Sequence, residues 1–153
     1  MYKRLLIRLE QDIMGWPPIT EETIWGEPLE SGNYKISSIP FFADGIAHGD
    51  VVSVEANFEE SILRVSSIMQ EGGNSTIRVV GTNGTTLQEV LQIFDDLEID
   101  FETLEAYGIA AFNIPFDRDL IARFKGRLVS SHASATLDYD EGCVSEAWKS
   151  VQL

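Results

Sequence analysis

Six carboxylates fall within eleven residues between Asp95 and Glu105, with no lysine or arginine among them. Asp95, Asp96, Glu98, Asp100, Glu102 and Glu105 could ligate a cation or present a field that a basic partner reads. The hydropathy pattern places the first of them at the end of a helix and the others on the outer side of the strand that follows. Acids at a helix C-terminus oppose the helix dipole, and like charges at close spacing repel. The run therefore costs stability. Two explanations compete: a contact surface for a cationic protein, or a charged edge that blocks strand-to-strand association. Tyr107 and Trp148 are candidate aromatic anchors for the first, because binding hot spots favour those residue types.

Other residues able to do chemistry are few. His48, in Ala47-His48-Gly49-Asp50, could act as a base oriented by Asp50. The same tetrapeptide reads better as a turn, in which Gly49 permits the tight bend and Asp50 bonds local amides. His132 closes a helix, where the dipole favours an imidazolium. Val79-Val80-Gly81-Thr82-Asn83-Gly84-Thr85-Thr86 has the order of a phosphate-binding loop, but lacks the P-loop lysine and the three-glycine dinucleotide spacing, and reads as a turn. Asp138, Asp140 and Glu141 lie near Cys143 without the spacing of a calcium loop. Acidic neighbours should raise the thiol pKa of Cys143, against a reactive thiolate. No cofactor and no metal are expected.

Composition narrows the partners. The chain has 153 residues, 25 acidic and 11 basic, a formal charge of -14. Five basic and 12 acidic residues precede Gly73, while 6 and 13 follow it, so each half carries -7. The charge is a property of the whole surface. Such a surface repels phosphate backbones and anionic lipid, which disfavours nucleic acid and membrane as partners. No stretch is apolar for the ~18 residues of a membrane span, and none reads as a signal peptide. The single cysteine excludes an internal disulfide. A cytoplasmic globular protein is expected.

The elements that would position these residues divide at Glu71-Gly72-Gly73-Asn74-Ser75, a turn-prone stretch. Before it, Leu5, Ile7 and Leu9 alternate with Arg4, Leu6 and Arg8, a period-two strand. Further strands are predicted at Thr23–Trp25, Tyr34–Ile36, Val51–Glu55 and Ile62–Ile68, implying a small barrel or a strongly bent sheet over residues 1–73. After it, Thr76–Val80 is a strand, and Thr86 with Glu89 has capping-box spacing for a helix through Leu87, Val90, Leu91, Phe94 and Leu97. Ile99, Phe101 and Thr103, alternating with Asp100 and Glu102, mark a strand, and another is predicted at Ile109–Ile114. Asp117 is the N-cap of a helix through Leu120, Ile121, Phe124 and Leu128. A last strand is predicted at Ala135–Tyr139, then a short helix holding Val144, Ala147, Trp148 and Val151. Residues 74–153 thus read βαββαβ, the ferredoxin-like plan, and the fold class is α+β. RNA-recognition domains share that plan, but Ile109 and Ala111 stand where their stacking aromatics belong, and no basic residue precedes Gly108.

The stretch Trp25-Gly26-Glu27-Pro28-Leu29, then Tyr34-Lys35-Ile36, Ile39-Pro40-Phe41-Phe42-Ala43 and Gly49-Asp50-Val51-Val52 resembles an uncharacterised bacterial domain-of-unknown-function family. Ser75-Thr76-Ile77-Arg78-Val79-Val80 and Tyr139-Asp140-Glu141-Gly142-Cys143 resemble its second half. The chain departs from it at Gly26, where the family tends to alanine, and at Ser38, where it tends to asparagine. The resemblance implies a bacterial origin and no particular chemistry. Phe41 and Phe42 are expected to form a hydrophobic corner closing the barrel, with Asp50 its turn residue.

The function expected is that of an immunity protein, of the kind that protects against contact-dependent growth inhibition. It would bind and neutralise a basic protein toxin, a nuclease, through Asp95, Asp96, Glu98, Asp100, Glu102, Glu105, Tyr107 and Trp148, with no catalysis of its own. The alternative is a small-ligand module or enzyme with a cleft between the halves and His48 and Asp50 as its polar pair.

Overall fold

The computed structural model describes residues 1–153. The alternation at the N-terminus forms a strand (β1, Lys3–Arg8) with Leu5 and Ile7 buried. Four more follow: β2 (Glu21–Pro28), β3 (Tyr34–Ile36), β4 (Val51–Asn57) and β5 (Ile62–Gln70). Each pairs antiparallel with the next, and β1 meets β5 in parallel at Leu6 and Arg64, closing a barrel. Closure removes the exposed strand edges that a five-stranded sheet would otherwise carry. Gly26 makes room for the core: a Cβ there would stand 2.5 Å from Leu5 Cδ1. Ser38, the other departure from the family pattern, accepts a hydrogen bond from the Trp25 N–H at 2.8 Å.

The second half contains β6 (Ser75–Gly81), α1 (Leu87–Phe94), β7 (Phe101–Leu104), β8 (Ile109–Ile114), α2 (Arg118–Ala133), β9 (Leu137–Cys143) and α3 (Glu146–Ser150). Its sheet has the order β7-β8-β6-β9, all neighbours antiparallel, as the βαββαβ plan requires. Thr86 and Glu89 form the reciprocal capping box, and Asp117 caps α2 through the Leu120 N–H. The last strand begins two residues later than predicted. Ala135 sits at φ 59° in a turn whose carbonyl accepts from Thr82 and Asn83, so an extended strand cannot start there. The glycine loop before α1 is structural, since a Cβ on Gly81 would lie 2.1 Å from the Thr85 carbonyl oxygen.

The two faces of this sheet differ because strand side chains alternate. Ile77, Val79, Ala110, Phe112 and Ile114 face the helices and pack with Val90, Phe94, Ile121, Phe124 and Leu128. Phe124 stacks on Phe94 at 4.4 Å between ring centroids and meets Phe112 edge-on at 5.3 Å. The opposite face presents Thr76, Arg78, Ala111 and Asn113, all buried, and is covered by the segment joining β3 to β4. That segment, residues 37–50, is the seam between barrel and sheet. The base-stacking face of an RNA-recognition domain is thus occupied here by the protein's own chain. No helix is long and apolar enough to cross a membrane.

Candidate functional site

Three buried charged side chains hold the seam. Glu22, on β2 and 6% exposed, accepts the N–H groups of Phe41, Phe42 and Ala43 at 2.7, 3.1 and 2.8 Å. A carboxylate that accepts several backbone amides fixes a loop strongly, because each bond is charge-assisted. Asp50 accepts from Ala47 N–H at 2.9 Å and from Gly72 N–H at 2.8 Å, tying the end of the seam to the turn before β6. Its carboxylate bonds backbone and not His48, so Asp50 is the turn residue of the resemblance and does not orient a base. Arg78, 7% exposed, donates to Asp140, to the Ala43 carbonyl at 2.9 Å and to Asp44. Burial alone would lower its pKa, but hydrogen bonds and charge from Asp140 and Asp44 outweigh that and raise it above the ordinary value. Gly142 is what lets the guanidinium lie flat on β9, since a Cβ there would stand 2.7 Å from Arg78 Cζ.

Phe41 and Phe42 do not close the barrel. The barrel core takes Ala43 and Ile46 from the seam, and the two rings stay half-buried beside it. Glu22 holds three consecutive amides here, which fixes the backbone that carries the two rings. Phe42 instead meets Trp16 and Tyr107 edge-on, at 5.7 and 5.8 Å, in an aromatic trio on the surface. Trp16, Phe41 and Phe42 also line a cleft of about 440 Å³ above Arg78.

The residues of the acidic run have unequal roles. Asp95 begins a 3-10 turn after α1, Glu98 follows it in the left-handed region at φ 54°, and Glu105 begins a second 3-10 turn. All three are exposed, as is Asp100, and none of the four is ion-paired. Asp96 is held by both terminal nitrogens of Arg127 from α2, which also donates to the Ile93 carbonyl at 3.0 Å. One cation thus neutralises an acid and satisfies the C-terminal end of α1. Glu102 lies on β7 and accepts the Ile39 N–H at 2.9 Å, so this strand latches the sheet to the seam. β7 is an edge strand, as the aggregation-blocking explanation of its charge requires. Asp100 and Glu102 face the seam, however, and line clefts beside it.

Tyr107 is half-exposed in the trio. Trp148 is not an anchor. It is 1% exposed, donates its indole N–H to Glu141, packs on Phe124 at 6.2 Å and carries Lys125 Nζ 4.8 Å from its ring. Ser145 caps α3 so that Ala147 and Trp148 turn into the core, and no partner can reach the indole in the folded chain.

The Arg127 contact depresses the Asp96 carboxyl to about 2, mainly through the hydrogen bond. A carboxyl depressed on folding contributes stability above its unfolded pKa, about 4, and loses it as pH falls towards 2. A carboxyl titration followed by NMR is expected to put the Asp96 midpoint near 2. In Arg127→Met it should return to about 4. Cys143 behaves in the opposite sense: burial, with charge from Asp50 and Glu71, pushes its thiol up to about 11. His132 lies in the last turn of α2, 3.5 Å from Asp138 and edge-on to Tyr139. No three His, Cys, Asp or Glu side chains converge as a metal would require.

The model of the Domain of unknown function (DUF4265) family matches residues 22–130. The chain belongs to that family. The DUF4265 span begins at Glu22 and includes the seam, Arg78, the acidic run and Asn113, while β1 and Trp148 lie outside it. A crystal structure of a hypothetical protein from Neisseria gonorrhoeae shares the fold, with a TM-score of 0.74 over 95% of this chain and 96% of that one at 24% identity. No curated protein matches the sequence.

Sequence reasoning missed Glu22 and Arg78. Their signals differ: Glu22 shares the phase of the buried Ile24 on β2, a charge at a core-facing position, whereas Arg78 is the single charge on β6 and out of phase with Ile77 and Val79. Period-two reading assigns a residue placed like Arg78 to solvent unless a second layer is known to cover it.

Proposed function

We propose that this DUF4265 protein is a non-enzymatic immunity protein that captures a basic bacterial toxin of the nuclease class. The reading rests on one observation: Asp95, Glu98, Asp100 and Glu105 stay exposed and unpaired in the segments that flank the edge strand β7. Arg127, the cation that meets the acidic run, is engaged by Asp96. Unpaired acids at the end of a helix and beside an edge strand reduce stability, and attraction to a cationic surface would offset that cost. Tyr107, half-exposed among aromatic neighbours, supplies apolar area next to the charge. The surface charge also steers a cationic protein into encounter and resembles the polyanion such a nuclease binds.

The test is association with purified basic nuclease domains of bacterial protein toxins. Neutral isosteres at all four positions (Asp95→Asn, Glu98→Gln, Asp100→Asn, Glu105→Gln) are expected to slow association about tenfold or more at low salt. The difference from the parent protein should shrink as salt screens the charges. Undetectable binding of the parent protein, or an unchanged on-rate in the variant, would contradict the proposal. Against the His48–Asp50 alternative weighs the Asp50 carboxylate, which bonds the Ala47 and Gly72 amides and not His48.

A further inference from the structure

Two buried polar side-chain atoms have no hydrogen-bond partner: Oδ1 of Asn113 and Nδ1 of His48. Both residues line one cleft of about 360 Å³ between the seam and β7. Asn113 is only 9% exposed, so its orphaned oxygen meets little solvent. Leaving a buried acceptor unpaired is costly, and such groups ordinarily find a partner. Here the open side of the cleft is where one would come from.

The remaining polar lining is rich in acceptors. Asp100 stands beside Asn113 across the β7–β8 pair, where the Asn113 N–H donates to the Asp100 carbonyl at 2.9 Å and leaves the Asp100 carboxylate free. Glu102 uses Oε2 on the Ile39 N–H, and its other oxygen bonds nothing. Phe101 and Ile39 add apolar surface, and no lysine or arginine lines the cleft. The complement is a flat, weakly hydrated cation with several N–H donors pointing in different directions. A guanidinium has that form; an ammonium is a compact and strongly hydrated point charge.

We propose that this cleft receives the guanidinium of an arginine side chain from the basic partner. The inference rests on the function proposed above and names the kind of residue the toxin would insert. The carboxylates of Asp100 and Glu102 supply the charge, and Asn113 Oδ1 and His48 Nδ1 accept N–H groups at the floor.

The test uses the full chain and N-acetylarginine amide as the probe, with N-acetylcitrulline amide as the uncharged isostere. Binding is read from the Asn113 side-chain amide and the His48 ring nitrogens by NMR. Saturable shifts at both are expected with the arginine probe. The citrulline probe should bind about tenfold more weakly or worse, because charge-assisted bonds are lost. Asp100→Asn, an exposed substitution that leaves the fold intact, should weaken the arginine probe several-fold. Absent shifts, or equal shifts with citrulline, overturn the inference. Capture of the nuclease with a silent cleft overturns the inference alone. Probe binding without nuclease capture counts against the function and leaves the cleft's chemistry standing.

Discussion

Replacing Glu22 by alanine is expected to destabilise the protein by about 4 kcal/mol, a large part of the 5–15 kcal/mol that ordinarily separates a domain from unfolding. The physical ground is the number of amides that depend on one side chain. Three consecutive N–H groups, on Phe41, Phe42 and Ala43, donate to the Glu22 carboxylate. Alanine leaves all three without an acceptor, and each buried orphan costs roughly 1–3 kcal/mol. Water can reach the amides of Phe41 and Phe42 more readily than that of Ala43, which is 2% exposed, and this holds the total below the simple sum. Glu22→Gln keeps the shape and one carbonyl acceptor, so it should fall between alanine and the parent protein. Urea unfolding monitored at the tryptophans measures all three. A loss under about 1 kcal/mol for alanine would mean that water satisfies the curled segment.

Arg78→Met is expected to cost about 3 kcal/mol, for a different reason. Methionine fills much of the arginine stem but donates nothing, so the Ala43 carbonyl loses its donor and the seam loses one of its ties to β6. Asp44 and Asp140 remain 81% and 61% exposed, so water can solvate their charges once the arginine is gone. The penalty therefore lies below that of stranding a fully buried carboxylate. Asp44→Asn provides the contrast. It removes one exposed partner of Arg78 and should cost under about 1 kcal/mol, as exposed pairs generally do. Equal losses for Arg78→Met and Asp44→Asn in thermal unfolding would show that the ion pair, and not the buried guanidinium's bond to the seam, is what matters.

Both effects belong to residues 22–78, inside the DUF4265 span, and both act on the segment that carries the Pro40-Phe41-Phe42-Ala43 and Gly49-Asp50 pattern. The pattern has a physical reading. Pro40 is buried, Ala43 is small enough to enter the barrel core, and Asp50 accepts one amide from its own turn and one from the turn before β6. The segment is a plug whose backbone is held by charged groups from β2 and β6, and its outer walls are the clefts.

Much of this was legible in the residues themselves. Side-chain alternation is a property of the extended backbone, so Leu5 with Ile7 and Ile77 with Val79 announce strands before any fold is known. Helix caps are equally local: Thr86 reaches Glu89 within one turn, and Asp117 reaches Leu120. From these came the five barrel strands, the βαββαβ order of the elements after them and the acidity shared along the chain. The exposure of Asp95, Glu98, Asp100 and Glu105 also followed from their type.

The tertiary structure decided which polar groups are engaged. Asp96 meets Arg127, 31 positions away, and Glu102 meets the Ile39 amide, 63 positions away. No periodicity links such pairs, because their meeting depends on how the barrel docks on the sheet. The same docking turned Arg78 and Asn113 from the outer face of a strand into the floor of a seam. Trp148 went the other way, from a candidate anchor to core, once Ser145 capped α3 against the sheet. Sequence determines what each residue can do within a turn of helix or a pair of strands. Only the packed chain determines which charges are neutralised and which stay exposed and unpaired.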